Sequence, residues 1–133
     1  MNKQMIIIVL AVVVAVGGYY ANEMQPSTQS APGQAQSEDK LEIDASKGKA
    51  LVAAGALLVD TRTPQEFAGG HLEGAVNIPY TDVESRIAEF GTDKNRTVVT
   101  YCKAGYRAGK AAEKLRELGW SNAFNAGGIG DWQ

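Results

Sequence analysis

Apolar and polar positions divide this chain into three stretches. Met1 to Ala21 is dominated by the apolar run Met5–Val16, with Lys3 ahead of it and Gly17, Gly18, Tyr19 and Tyr20 behind it. Asn22 to Lys40 is polar, rich in Gln and Ser, and carries Pro26, Pro32 and Gly33. Such a stretch has too little apolar surface to offset its chain entropy, which predicts a disordered tether over 22–40. From Leu41 to Gln133 apolar and polar residues alternate in the mixed pattern of one folded domain.

Within 41–133 the pattern predicts alternating helices and strands. Ala45–Ala54 has helix-forming composition, with Asp44 or Ser46 as cap and Gly55 as stop. Leu57–Thr61 is a short apolar run, as in a strand covered on both faces. Thr63-Pro64-Gln65-Glu66 is a capping box with proline at the first helical position, so a short helix starts there and stops near Gly69-Gly70. Ala75–Ile78 predicts a second strand, ended by Pro79. Thr81-Asp82-Val83-Glu84 repeats the capping signature and predicts a helix carrying Val83, Ile87 and Phe90 on one face. Thr97–Tyr101 is the clearest strand, Ala108–Leu118 a strong helix stopped by Gly119, and Asn122–Asn125 a last strand. Strands alternating with helices imply parallel pairing, hence an α/β domain with a parallel sheet flanked by helices.

The N-terminal run reads as an export signal. A basic start and an apolar core fit a cleaved signal peptide, although cleavage after Ala21 would put the bulky Tyr19 at the −3 position. Extended through Ala21, the run reaches the short limit of a membrane span, and the two tyrosines suit a bilayer interface. Both readings, over residues 1–21, place the domain outside the cytoplasm, periplasmic or held at the membrane. An uncleaved segment would make the bilayer a partner.

Composition narrows the chemistry. A net charge of −2 argues against a general nucleic-acid binder, which needs a strongly basic surface to release phosphate counterions. One cysteine and one histidine cannot build a disulfide framework or an ordinary Cys/His metal site. The lone Cys102 is therefore either a small core residue or the centre of the chemistry.

Its neighbours favour the second reading. Cys102 follows the Thr97–Tyr101 strand, at the carboxyl end where parallel sheets bind ligands. The segment Cys102-Lys103-Ala104-Gly105-Tyr106-Arg107 then leads into a helix. A glycine-containing strand-to-helix loop turns backbone N–H groups inward to form an anion-binding nest. Those donors and the helix N-terminus favour the Cys102 thiolate, and Lys103 and Arg107 add positive charge at the mouth. A thiolate nucleophile, an anion cradle and a cationic rim suit attack on a small anion.

At this point the domain resembles the single-domain rhodaneses, or thiosulfate sulfurtransferases. Leu58–Arg62 with Thr63–Phe67 is similar to the family's Asp-x-Arg strand end and the helix after it. Gly70–Ala75 with Asn77-Ile78-Pro79 is similar to its Gly-His-Ile-x-Gly-Ala…Asn-Ile-Pro signature. Tyr101–Arg107 matches the active-site loop, and Gly127-Gly128 with Trp132 the closing motif. Cys102 to Arg107 spans six residues, the loop length that the resemblance assigns to sulfur transfer; the related phosphatase loop is one residue longer. One departure is Ala108, where many relatives carry Ser or Thr.

The resemblance implies double displacement through a Cys102 persulfide, with no metal or organic cofactor. The donor would be thiosulfate or a similar small anion, and the acceptor cyanide, a thiol or a protein. It implies a substrate-binding role for Lys103, Ala104, Gly105, Tyr106 and Arg107. Asp60 and Arg62 either line the same pocket or pair with each other structurally. His71 is implied to be structural rather than a base, and Trp120 and Trp132 read as packing aromatics. Gly127-Gly128 reads as a tight turn. Two other readings stand beside the enzyme: a persulfide carrier serving one protein partner, and, disfavoured by loop length, a phosphatase or arsenate reductase.

Overall fold

The computed structural model describes residues 40–133, so the apolar run of 1–21 and all but the last residue of the 22–40 tether lie outside the described residues. Among the described residues no helix is long and apolar enough to cross a membrane.

Helix α1 (Ala45–Ala53) is capped by Asp44, whose carboxylate accepts the Lys47 N–H at 2.7 Å. Strand β1 (Leu57–Asp60) leads to helix α2 (Pro64–Ala68), where Thr63 and Glu66 form the expected reciprocal capping box. Strand β2 is only Val76–Asn77. Strand β3 (Val98–Cys102), helix α3 (Tyr106–Glu117) and strand β4 (Ala123–Gly128) complete the domain, and a 3-10 turn, Ile129–Trp132, follows.

The four strands form one parallel sheet in the order β2-β1-β3-β4. The expected α/β architecture is present, with β3 an inner strand buried along its whole length. Alternation along the strands sends neighbouring side chains to opposite faces. Val59 and Val98 join Phe90, Leu115 and Trp120 beneath α3, whereas Leu58, Val99 and Tyr101 pack toward α1 and Trp132. Full burial of a side chain such as Phe90 or Leu115 contributes about 1.5–3 kcal/mol. The outer edge of β4 is partly covered by the chain before α1: the Asn125 N–H donates to the Leu41 carbonyl and the Ile43 N–H to the Asn125 carbonyl.

Three expectations need correction. The helix expected from Thr81 is not an α-helix but two 3-10 turns, Tyr80–Asp82 and Ile87–Phe90. The Thr81 hydroxyl bonds Asp82 instead of capping Glu84, and Gly91 at φ +87° ends the segment. Val83 and Phe90 still reach the core, so the apolar spacing reported burial rather than helix type. β4 runs three residues beyond the expected Asn125 and takes in Gly127-Gly128, and β3 extends one residue to include Cys102. Pairing of β3 with β4 continues past Asn125 through a register shift between Thr100 and Cys102, which sets Cys102 opposite Gly128. Gly127 accommodates it with φ +81°, a left-handed conformation natural to glycine. Helix α3, finally, begins at Tyr106, two residues before the expected Ala108.

Candidate active site

Cys102 ends β3 with its residue 1% exposed. The chain reverses at once through Lys103, Ala104 and Gly105 and enters α3. Gly105 makes this turn possible, since its φ of +101° is the left-handed region that side chains disfavour. In that conformation the Gly105 N–H donates to Cys102 Sγ at 2.9 Å. No side chain caps α3, because the cap position is Gly105 itself. The uncapped helix N-terminus supplies partial positive charge beside the sulfur. Ala108, where a hydroxyl was expected from the resemblance, is buried, and its carbonyl lies 2.9 Å from the Thr100 hydroxyl.

The sheet supports this loop from below. Gly128 packs so tightly under it that a Cβ there would collide with the Lys103 carbonyl oxygen and lie 3.3 Å from the Ala104 Cα. Asp131 in the closing turn accepts the Gly128 N–H at 3.2 Å. Gly127-Gly128 is thus part of a strand built for close backbone approach, and not a tight turn joining two elements.

The rim residues have separate fates. Lys103, Ala104 and Tyr106 are exposed, Tyr106 most of all at 71%. Lys110 lies with its ammonium 5.7 Å from the centre of the Tyr106 ring. Arg107 turns to Glu66 on α2, donating to the two carboxylate oxygens at 2.6 and 3.1 Å. Glu66 is held well below the usual carboxylate range, to about 2, chiefly by Arg107 and then by the Thr63 N–H. Arg107 is raised above its ordinary value, first by Glu66. The cationic rim expected from sequence is therefore Lys103 in the open and Arg107 in an ion pair.

Asp60 and Arg62 have a structural use. Asp60 is fully buried, and its carboxylate accepts from the Arg62 backbone N–H, the Arg62 guanidinium and the Tyr101 hydroxyl at 2.7–3.1 Å. Arg62 also donates to the Gly70 carbonyl at 2.7 Å, which fastens the Gly70–Ala75 turn to the sheet. The hydrogen bonds of these two side chains stay within that group, and none reaches residues 102–107. Burial, first, and the bond to Asp60 push the Tyr101 phenol up to about 12. His71 is exposed, stacks on Phe67 with ring centres 3.7 Å apart, and has Nδ1 3.0 Å from the Phe67 carbonyl oxygen. Trp132 packs over Gly48 and donates to the Ala126 carbonyl, and Trp120 sits in the core against Phe90.

Two residues of the site escaped the sequence. Local sequence marks Glu66 only as a capping residue. Local sequence marks Asn125 only as the end of a strand, yet its side chain meets the loop at Gly105. An asparagine between Phe124 and Ala126 in an apolar strand is a usable signal, since asparagine is a poor strand former and its amide, once buried, must find partners.

A parallel sheet that ends an inner strand on a buried thiol, and then turns through glycine into an uncapped helix, defines α/β proteins that present a cysteine at a helix N-terminus. The chain belongs to the rhodanese family: the rhodanese-like domain matches residues 41–133. It is 45% identical over 73 residues to the thiosulfate sulfurtransferase PspE of Escherichia coli K12, covering 55% of this chain and 70% of that protein. Among solved structures it is similar to the human single-domain sulfurtransferase TSTD1, at 28% identity and a TM-score of 0.63, covering 70% of this chain and 95% of that one. An Escherichia coli rhodanese solved with anions matches at 43% identity and a TM-score of 0.55, over 58% of this chain and 91% of that one.

Proposed function

We propose that this sulfurtransferase passes a sulfane sulfur from thiosulfate, or a similar small anion, to a thiophilic acceptor through a persulfide on Cys102. The observation that carries this reading is the Gly105 N–H on Cys102 Sγ at 2.9 Å, at the uncapped N-terminus of α3. Both features favour negative charge at the sulfur, whether as thiolate or as the terminal sulfur of a persulfide. Similarity to a thiosulfate sulfurtransferase and to a rhodanese solved with anions supports the donor class.

The steps balance without an outside oxidant. The Cys102 thiolate attacks the outer sulfur of thiosulfate, the S–S bond breaks, and sulfite leaves with the electron pair. Cys102 then carries one extra sulfur. Cyanide or a thiolate attacks that terminal sulfur, forms thiocyanate or a new persulfide, and returns the Cys102 thiolate. Exposed Lys103 attracts the donor electrostatically, and Glu66 keeps Arg107 fixed at the side of the mouth.

Intact-mass measurement after thiosulfate treatment tests the reading. The expected result is a gain of one sulfur, lost on adding cyanide and absent in Cys102→Ala. A Cys102→Ala protein that still turned over thiosulfate and cyanide would sink it. The exposure of Tyr106 at the mouth favours a protein acceptor as a second reading, in which the domain acts as a carrier. Loading in a single burst followed by slow turnover with cyanide and small thiols would favour that carrier. The run Met5–Val16 behind Lys3 supports a domain working outside the cytoplasm. Protection of the domain from protease in intact cells, lost when the envelope is opened, is the expected observation if it lies in the periplasm.

A further inference from the structure

We propose that Asn125 is a positioning residue that fixes the Gly105 peptide, and so holds the Gly105 N–H on Cys102 Sγ. This deepens the reading above and rests on Cys102 as the reacting thiol. Gly105 adopts φ +101° and ψ −22°, and glycine reaches other conformations readily, so the aim of its N–H depends on what restrains it. One restraint comes from the next strand. The Asn125 side-chain amide donates to the Gly105 carbonyl at 3.0 Å, and its oxygen accepts the Gly127 N–H at 3.0 Å.

The consequence follows from peptide geometry. In a trans peptide the carbonyl and the next N–H point in opposite directions. The Gly105 carbonyl is held from two sides, by Asn125 and by the Gly109 N–H at 3.0 Å within the first turn of α3. The Tyr106 N–H then points the other way, out of the helix N-terminus. Fixing that carbonyl also limits the ψ of Gly105, and with it the aim of the Gly105 N–H at Sγ. Gly109 gives the amide room, because a Cβ there would lie 3.1 Å from Asn125 Nδ2. Asn125 is itself held, 7% exposed, by backbone bonds to Leu41 and Ile43. It acts through the loop, and the structure shows no bond from it to the sulfur.

The test is the rate of Cys102 alkylation by iodoacetamide as a function of pH, on the full chain, in Asn125→Ala, Asn125→Leu and Trp132→Phe. Asn125→Leu fills the amide's volume without donor or acceptor, and it serves if the alanine variant folds poorly. Trp132→Phe removes the bond to Ala126, one residue along the same strand, and is the structural control. The charged groups around the site, Lys103 on the loop, Arg107 in the first turn of α3, Glu66 on α2 and Asp131 in the closing turn, are the same in all four proteins.

Weakening one charge-assisted bond predicts a midpoint about one pH unit higher in both Asn125 variants, and an alkylation rate at fixed pH below the midpoint about tenfold lower. Trp132→Phe is expected to lower the unfolding temperature and leave the midpoint in place. Folded Asn125 variants with the wild-type midpoint, or an equal shift in Trp132→Phe, would overturn the proposal. Alkylation needs no sulfur donor, so a failure of thiosulfate turnover would count against the proposed function and leave this result readable.

Discussion

Glu66 and Arg107, 41 residues apart in the chain, are joined by two hydrogen bonds of 2.6 and 3.1 Å, and the same carboxylate accepts the Thr63 N–H at 3.0 Å. One side chain thereby closes the N-terminus of α2 and ties it to the first turn of α3. The ion pair removes Arg107 from the open rim and makes α2 part of the scaffold of the thiol loop.

This arrangement has a pH dependence. The folded value of Glu66, about 2, lies below its ordinary 4.5, so its contribution to stability is present above about 4.5 and is lost as pH falls toward 2. Glu66→Gln keeps an acceptor for Thr63 but loses the charge opposite Arg107. Urea denaturation from pH 7 to 2.5 is expected to show wild type more stable than Glu66→Gln at neutral pH, with the gap closing through that window. A gap constant with pH would mean that the pairing is not what stabilises the contact.

Gly128→Ala sets a methyl group against the Lys103 carbonyl and Ala104. Backbone cannot yield as a flexible side chain would. We expect a stability loss of about 1–3 kcal/mol from overpacking. We also expect kcat/KM for sulfur transfer to fall about 10- to 100-fold as the loop is displaced. Wild-type kinetics in a folded Gly128→Ala protein would show that the loop tolerates movement.

Lys103→Met tests the one exposed cation of the loop and keeps much of the apolar stem. The KM for thiosulfate is expected to rise about fivefold at low salt with kcat nearly unchanged. The difference from wild type should shrink above about 0.5 M salt, where charges are screened within a few ångströms. A KM change insensitive to salt would point to a direct packing role for the side chain instead.

Tyr101→Phe removes a hydroxyl that donates to Asp60 at 2.8 Å and accepts the Leu72 N–H at 3.1 Å. Leaving buried Asp60 and half-buried Leu72 short of a bond costs about 1–3 kcal/mol by chemical denaturation. The raised phenol adds a second signature. Its stabilising share is complete below about 10 and lost as pH rises toward about 12, so the two proteins should converge in that alkaline window. Cys102 alkylation should keep its wild-type pH midpoint, because the Tyr101 hydroxyl bonds Asp60 and Leu72 rather than the loop.

Much of the fold was legible in local sequence. Asp44, the Thr63–Glu66 box and the glycines after α1 and α3 marked helix ends through groups that act within a few residues, and the structure uses them so. The Thr81–Glu84 signature failed for a related reason. A cap can start a helix only where the following turns gain more from α-geometry than from packing Val83 and Phe90 by another path. Apolar spacing could announce that these residues are buried. It could not choose between an α-helix and two 3-10 turns.

By itself the sequence determined the alternating α/β pattern, the place of Cys102 at a strand's carboxyl end and the glycine loop leading into a helix. All of these depend on backbone preferences and side-chain periodicity over short spans. Only the tertiary structure decided that Arg107 faces Glu66, that Asn125 grips Gly105, and that Gly128 lies beneath Lys103. These contacts join separate elements of the chain. They are fixed by strand order and by the register shift at Cys102, which no local pattern encodes.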